Sequence, residues 1–100
     1  MFYFCNNINS IKFLKINTKN VTNMSNMFTR CRKLSNLDLS SFNTINVTNL
    51  SGMFYYCKNL LNLDLSSFNT NKVTNMNEMF RYYENLIEIN NNKININLFF

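Results

Sequence analysis

Reactive groups are few in this chain, and their spacing is regular. Cys5, Cys31 and Cys57 recur every 26 residues, and there is no histidine. A thiol becomes a good nucleophile beside a base or cation, and zinc is held by Cys and His at short spacings. Neither pattern is present, so the cysteines are read as one column of small buried side chains. Asp38 and Asp64 are also 26 apart. Paired carboxylates can do acid–base work or hold a cation. With Lys12 in the same column, they equally make an ordinary solvated face. No phosphate loop or nucleophile–base pair stands in the sequence. The chain is read as a non-enzyme that needs no cofactor and no metal.

The 26-residue interval governs much more than the cysteines. Ile8, Leu34, Leu60 and Leu86 align, as do Ile11, Leu37, Leu63 and Ile89. Phe13, Leu39 and Leu65 form a column, and Ile16, Phe42, Phe68 and Ile94 form another. Val21, Val47 and Val73 follow, then Met24, Leu50 and Met76, then Met27, Met53 and Met79, and finally Phe28, Phe54 and Phe80. Sustained self-similarity at such a period marks a repeat architecture. One domain, residues 1–100, is expected, with units at about 5–30, 31–56 and 57–82. A partial unit follows at 83–100, and residues 1–4 read as the end of a preceding one.

Each unit has two halves. Leu34-x-x-Leu37-x-Leu39 alternates around Asp38 and predicts a short strand. Val47-x-x-Leu50-x-x-Met53-Phe54-x-x-Cys57 puts its apolar residues on one stripe of a helix. Thr22, Thr48 and Thr74 stand where N-caps would. The fold class expected is an α/β repeat: a short leucine-rich-repeat-like solenoid, with one short parallel strand and one short helix per unit. Of the 100 residues 23 are Asn, against one Gly and no Pro. Asn is therefore expected to shape the turns, through the left-handed backbone region or through local side-chain hydrogen bonds.

Leu63-Asp-Leu-Ser-Ser-Phe-Asn-Thr70, followed by Val73-Thr-Asn-Met-x-x-Met-Phe80, resembles the BspA-type leucine-rich repeat. The resemblance spans nearly the whole chain and is most specific over residues 31–82. It implies a surface protein that binds host or cell-surface proteins, in the setting of the cell surface or secretion. No signal peptide is recognised: Met1–Phe4 is too short and lacks a charged leader. No apolar run reaches membrane-spanning length.

The strand positions then supply the candidate binding face. Lys12, Asp38, Asp64 and Asn90 form its central column, flanked by Ser10, Asn36, Asn62 and Glu88 on one side and by Ser40 and Ser66 on the other. The expected function is a protein-interaction or adhesion module within a larger repeat array. The alternative is a truncated repeat fragment with only a structural or self-associating role, through ends that lack polar caps.

The net charge is +5, and Lys12, Lys15, Lys19, Arg30, Arg32 and Lys33 all precede the first acid. Arg30 shares a column with Phe4, Tyr56 and Tyr82. Bases interleaved with rings can stack nucleobases, but cation–π packing explains the same pattern. Nucleic acid is therefore ranked below protein as a partner. Thiol titration tests the reading of the cysteines: if they are buried, their reaction waits for denaturant, whereas reaction in the native protein excludes a core role.

Overall fold

The computed structural model describes residues 7–82 and 88–90. Four three-residue strands recur one per unit: β1 (Ser10–Lys12), β2 (Asn36–Asp38), β3 (Asn62–Asp64) and β4 (Glu88–Asn90). β1 pairs with β2 and β3 with β4, both in parallel and both in a register that joins residues 26 apart. A second line of parallel bridges runs through Asn23, Asn49 and Asn75. Successive units therefore lie side by side along two seams.

The helical half of the expected unit does not form: no helix occurs among the described residues. Backbone hydrogen bonds explain why. The N–H groups of Leu50, Gly52, Phe54 and Tyr56 donate to the carbonyls of Asn75, Asn77, Met79 and Arg81 in the next unit. Met24, Asn26, Phe28 and Arg30 do the same toward Asn49, Ser51, Met53 and Tyr55. The intervening N–H groups of Met53, Tyr55 and Cys57 close tight turns onto Leu50, Gly52 and Phe54. In a helix each N–H would instead bond four residues back. Val-Thr-Asn runs are poor helix formers, and an isolated segment of this length lies below the point where helices persist. Bonds to the neighbouring unit satisfy the backbone in its place.

These turns require left-handed backbone at two columns. Asn26, Gly52 and Glu78 have φ of 57°, 64° and 58°, and Arg30, Tyr56 and Tyr82 have 59°, 63° and 59°. Gly52 and Tyr56 are the third residues of the Leu50–Met53 and Phe54–Cys57 turns, where a type II turn needs positive φ. At buried Gly52 a β-carbon would also run into the side chain of Asn26. Among the described residues, Asn26 is the one asparagine with positive φ. The other recurrent asparagines act by hydrogen bonding: Asn17, Asn43 and Asn69, and Asn23, Asn49 and Asn75, each accept the N–H two residues on. These are Asx turns, which hold a bend without glycine or proline.

The expected N-caps are inter-unit links. Thr48 donates both its N–H and its hydroxyl to the carbonyl of Thr22, and Thr74 does the same to Thr48. A second threonine column is buried. The Thr18 hydroxyl donates to the Asn43 carbonyl and accepts the Asn43 N–H, both at 2.8 Å. Thr44 repeats this with Asn69, at 3.0 and 2.7 Å.

Between the seams, like side chains stack on like. Phe28, Phe54 and Phe80 are fully buried, with rings near parallel at 5.8 and 5.7 Å. Phe42 and Phe68 stack similarly at 6.5 Å. In the first unit Ile16 replaces that phenylalanine, and Phe13 packs edge-on against Phe42 at 4.8 Å. Cys31 and Cys57 are buried, and the Cys57 thiol points to the Phe28 carbonyl at 3.1 Å. Cys5 lies outside the described residues.

Thr44→Val keeps the shape of the side chain but leaves the Asn69 N–H and carbonyl without their hydroxyl partner. Stranding buried polar groups costs about 1–3 kcal/mol. Urea unfolding should show a loss of that size. A loss below about 0.5 kcal/mol would mean that water replaces the hydroxyl.

Candidate functional site

The strands present alternate side chains to one face. In β1 and β2 the middle residues, Ile11 and Leu37, are half-buried, and in β3 Leu63 is buried. Their neighbours Ser10, Lys12, Asn36, Asp38, Asn62 and Asp64 are exposed, as are Ser40 and Ser66 just beyond the strands. Parallel pairing brings Ser10 beside Asn36 and Lys12 beside Asp38. It also sets Asn62 beside Glu88 and Asp64 beside Asn90 in backbone register. The side chains of Glu88 and Asn90 lie outside what is described.

Both aspartates are shaped by the residue two positions on. Asp38 accepts the Ser40 N–H at 3.0 Å, and Asp64 accepts the Ser66 N–H at 2.8 Å. Hydrogen bonds from Ser40, with a smaller contribution from the Lys12 charge, hold the Asp38 carboxyl below its ordinary value of 3.8. The column is therefore a third line of Asx turns that also carries charge.

One short parallel strand per unit implies a parallel sheet over this face. Instead the ladder is interrupted between β2 and β3. Charge distinguishes this seam from the two that close. Lys12 stands beside Asp38 across the first, and across the last Asp64 is in backbone register with Asn90. The same 26-residue register would set Asp38 against Asp64, and like charges directly opposite each other disfavour pairing. A cleft of about 320 Å³ opens there, lined by Leu37, Asp38, Leu39, Ser40, Asp64, Ser66 and Ser67. Ser67 also donates its hydroxyl to the Leu39 carbonyl at 3.0 Å, tying the units together beside the cleft.

Sequence reasoning placed the polar columns but missed the cleft, along with Leu37, Leu39 and Ser67 in its lining. The change from Lys12 to Asp38 within one column was the signal available. Asp38 and Asp64 offer hydrogen-bond acceptors and negative charge to a cationic group. The described residues contain no group of three or more His, Cys, Asp or Glu able to hold a metal ion. No described helix is long and apolar enough to cross a membrane.

The chain belongs to the family described as Mycoplasma protein of unknown function, DUF285, whose model matches residues 1–97. No curated protein and no solved structure matches it significantly.

The lowered pKa of Asp38 predicts an acid dependence. Stability supplied by the ionised carboxylate is fully present above its unfolded value, near 3.8. It is lost as pH falls from there through the lower folded value. Asp38→Asn should flatten the fall in melting temperature as pH drops below about 4. An unchanged profile would assign that fall to other carboxylates.

Proposed function

Within this family of unknown function, we propose that the chain is a protein-docking module of the BspA-type leucine-rich-repeat kind. It is a short solenoid whose turns replace helices and whose strand face meets the partner. Adhesion at a cell surface is the setting that the resemblance implies. The observation that carries the reading is the acidic cleft between β2 and β3, flanked by the exposed Asp38 and Asp64. A partner's lysine or arginine can enter it, with the Ser40 and Ser66 hydroxyls beside the carboxylates as further hydrogen-bonding groups. Serine and asparagine of the flanking columns provide a polar rim of the sort that surrounds a docked side chain.

The double variant Asp38→Lys/Asp64→Lys tests this. Both residues are exposed, so the variant should fold with an unchanged circular dichroism spectrum. Beads carrying the native chain should be retained on immobilised extracellular-matrix proteins, and beads carrying the double variant should be retained at least about tenfold less. Equal retention by a correctly folded variant would move the interface off the strand face. No retention of the native chain would sink the adhesive reading.

A further inference from the structure

The turn-rich half of the units builds a second surface, in which inter-unit backbone bonds set the side chains. Arg30 N–H bonds to the Tyr55 carbonyl at 2.7 Å, and Tyr56 N–H bonds to the Arg81 carbonyl at 2.9 Å. Arginine is thereby held beside tyrosine in each of two successive steps. Tyr55, Tyr56 and Tyr82 gather into one cluster, with ring centres 5.6 to 6.3 Å apart. Tyr82 meets the other two edge-to-face, at 85° and 64°, and is 44% exposed. Four cations lie over these rings. Arg30 is 6.0 Å from the centre of Tyr55, Arg32 and Lys58 are 5.1 and 4.8 Å from that of Tyr56, and Arg81 is 5.1 Å from that of Tyr82. Glu78 pairs with Arg81 at 2.6 Å.

We propose that this surface of Tyr55, Tyr56 and Tyr82 with Arg30, Arg32 and Lys58 binds single-stranded nucleic acid. Clustered cations on a chain of net charge +5 attract any polyanion. The rings narrow the choice. An acidic protein segment needs only the charges, whereas a single strand offers phosphates to the cations and unpaired bases to the aromatic faces. Arginine held over tyrosine adds a guanidinium on which a base can stack. The spacing also fits. Tyr56 and Tyr82 occupy the same position in neighbouring units, with ring centres 5.6 Å apart, within the reach of successive nucleotides. Sequence reading ranked nucleic acid low because cation–π packing explains the one column it used, Phe4, Arg30, Tyr56 and Tyr82. Tyr55, Arg32 and Lys58 belong to other columns, and the fold brings them to the same place.

Fluorescence anisotropy with labelled oligo(dT) of about twelve nucleotides tests the proposal, against an abasic sugar–phosphate strand of equal length and against polyglutamate. Binding at about 25 mM salt is expected, with a log–log salt slope of about −2 to −3 for three or four phosphates. The abasic strand and polyglutamate should bind at least about tenfold more weakly, the margin of one stacked base. Arg32→Glu/Lys58→Glu should lower oligonucleotide affinity about tenfold or more with an unchanged circular dichroism spectrum. Tyr82→Ala should remove the preference for the base-bearing strand while keeping the salt slope. Absence of binding at low salt overturns the proposal. So does equal affinity for the abasic strand or for polyglutamate, which would make the patch a general polyanion or acidic-protein contact.

Discussion

Much of this structure depends on one constraint: alternate backbone polar groups of each unit are satisfied by the unit 25 or 26 residues away. The strands do this by parallel pairing. The turn-rich halves do it by a comb of alternate N–H groups reaching into the next unit. A buried amide without a partner is costly, so the units cannot separate without exposing whole rows of donors and acceptors to new partners. The buried Thr18 and Thr44 hydroxyls belong to the same device, since each serves a donor and an acceptor of the following unit at once. Stability is thus expected to reside between units more than within any one of them.

Given that spacing, the core follows from geometry. Parallel, in-register units bring each side chain against its own equivalent, so columns of one residue type pack as columns. Phe28, Phe54 and Phe80 stack face to face for this reason, and buried Cys31 and Cys57 recur at one corner of the unit. Where one column carries a smaller residue, a neighbouring column makes up the volume, as Phe13 does beside Phe42 in the unit that has Ile16. Close packing makes such compensation necessary, because an unfilled methylene or two is felt as a cavity. Asparagine does the bending that glycine and proline do elsewhere, chiefly by accepting the N–H two residues on.

Register has a different consequence for charge. It sets like beside like, which suits phenylalanine but not aspartate. The Lys12–Asp38 seam is closed, and the Asp38–Asp64 seam is not laddered. The cleft between β2 and β3 therefore arises from the same repetition that builds the core. On the turn-rich half, the repeat collects tyrosines and cations from several columns into one patch, giving the chain two surfaces of opposite character. One is acidic and polar, and the other is basic and aromatic.

By itself the sequence determined the period, the two-part unit, the strand positions and most inward residues, although Ile8, in the column of Leu34 and Leu60, is exposed. All of these follow from periodicity: a column that is apolar in each unit tends to face the same interior in each. Leu34, Leu39, Phe42, Val47, Leu50, Phe54 and Cys57 were legible for that reason, and so were the exposed Asp38 and Asp64. Tertiary structure alone decided the rest. The Val47–Cys57 stripe suits a helix and a chain of turns equally well, and the neighbouring unit's carbonyls selected turns by offering bonds that an isolated segment does not have. Thr48 looked like a helix cap because caps and inter-unit links both need a hydroxyl near backbone. The cleft and the tyrosine patch depend on how two or three units sit against one another. Each arises from interactions between residues about 25 apart, which no local pattern in the chain encodes.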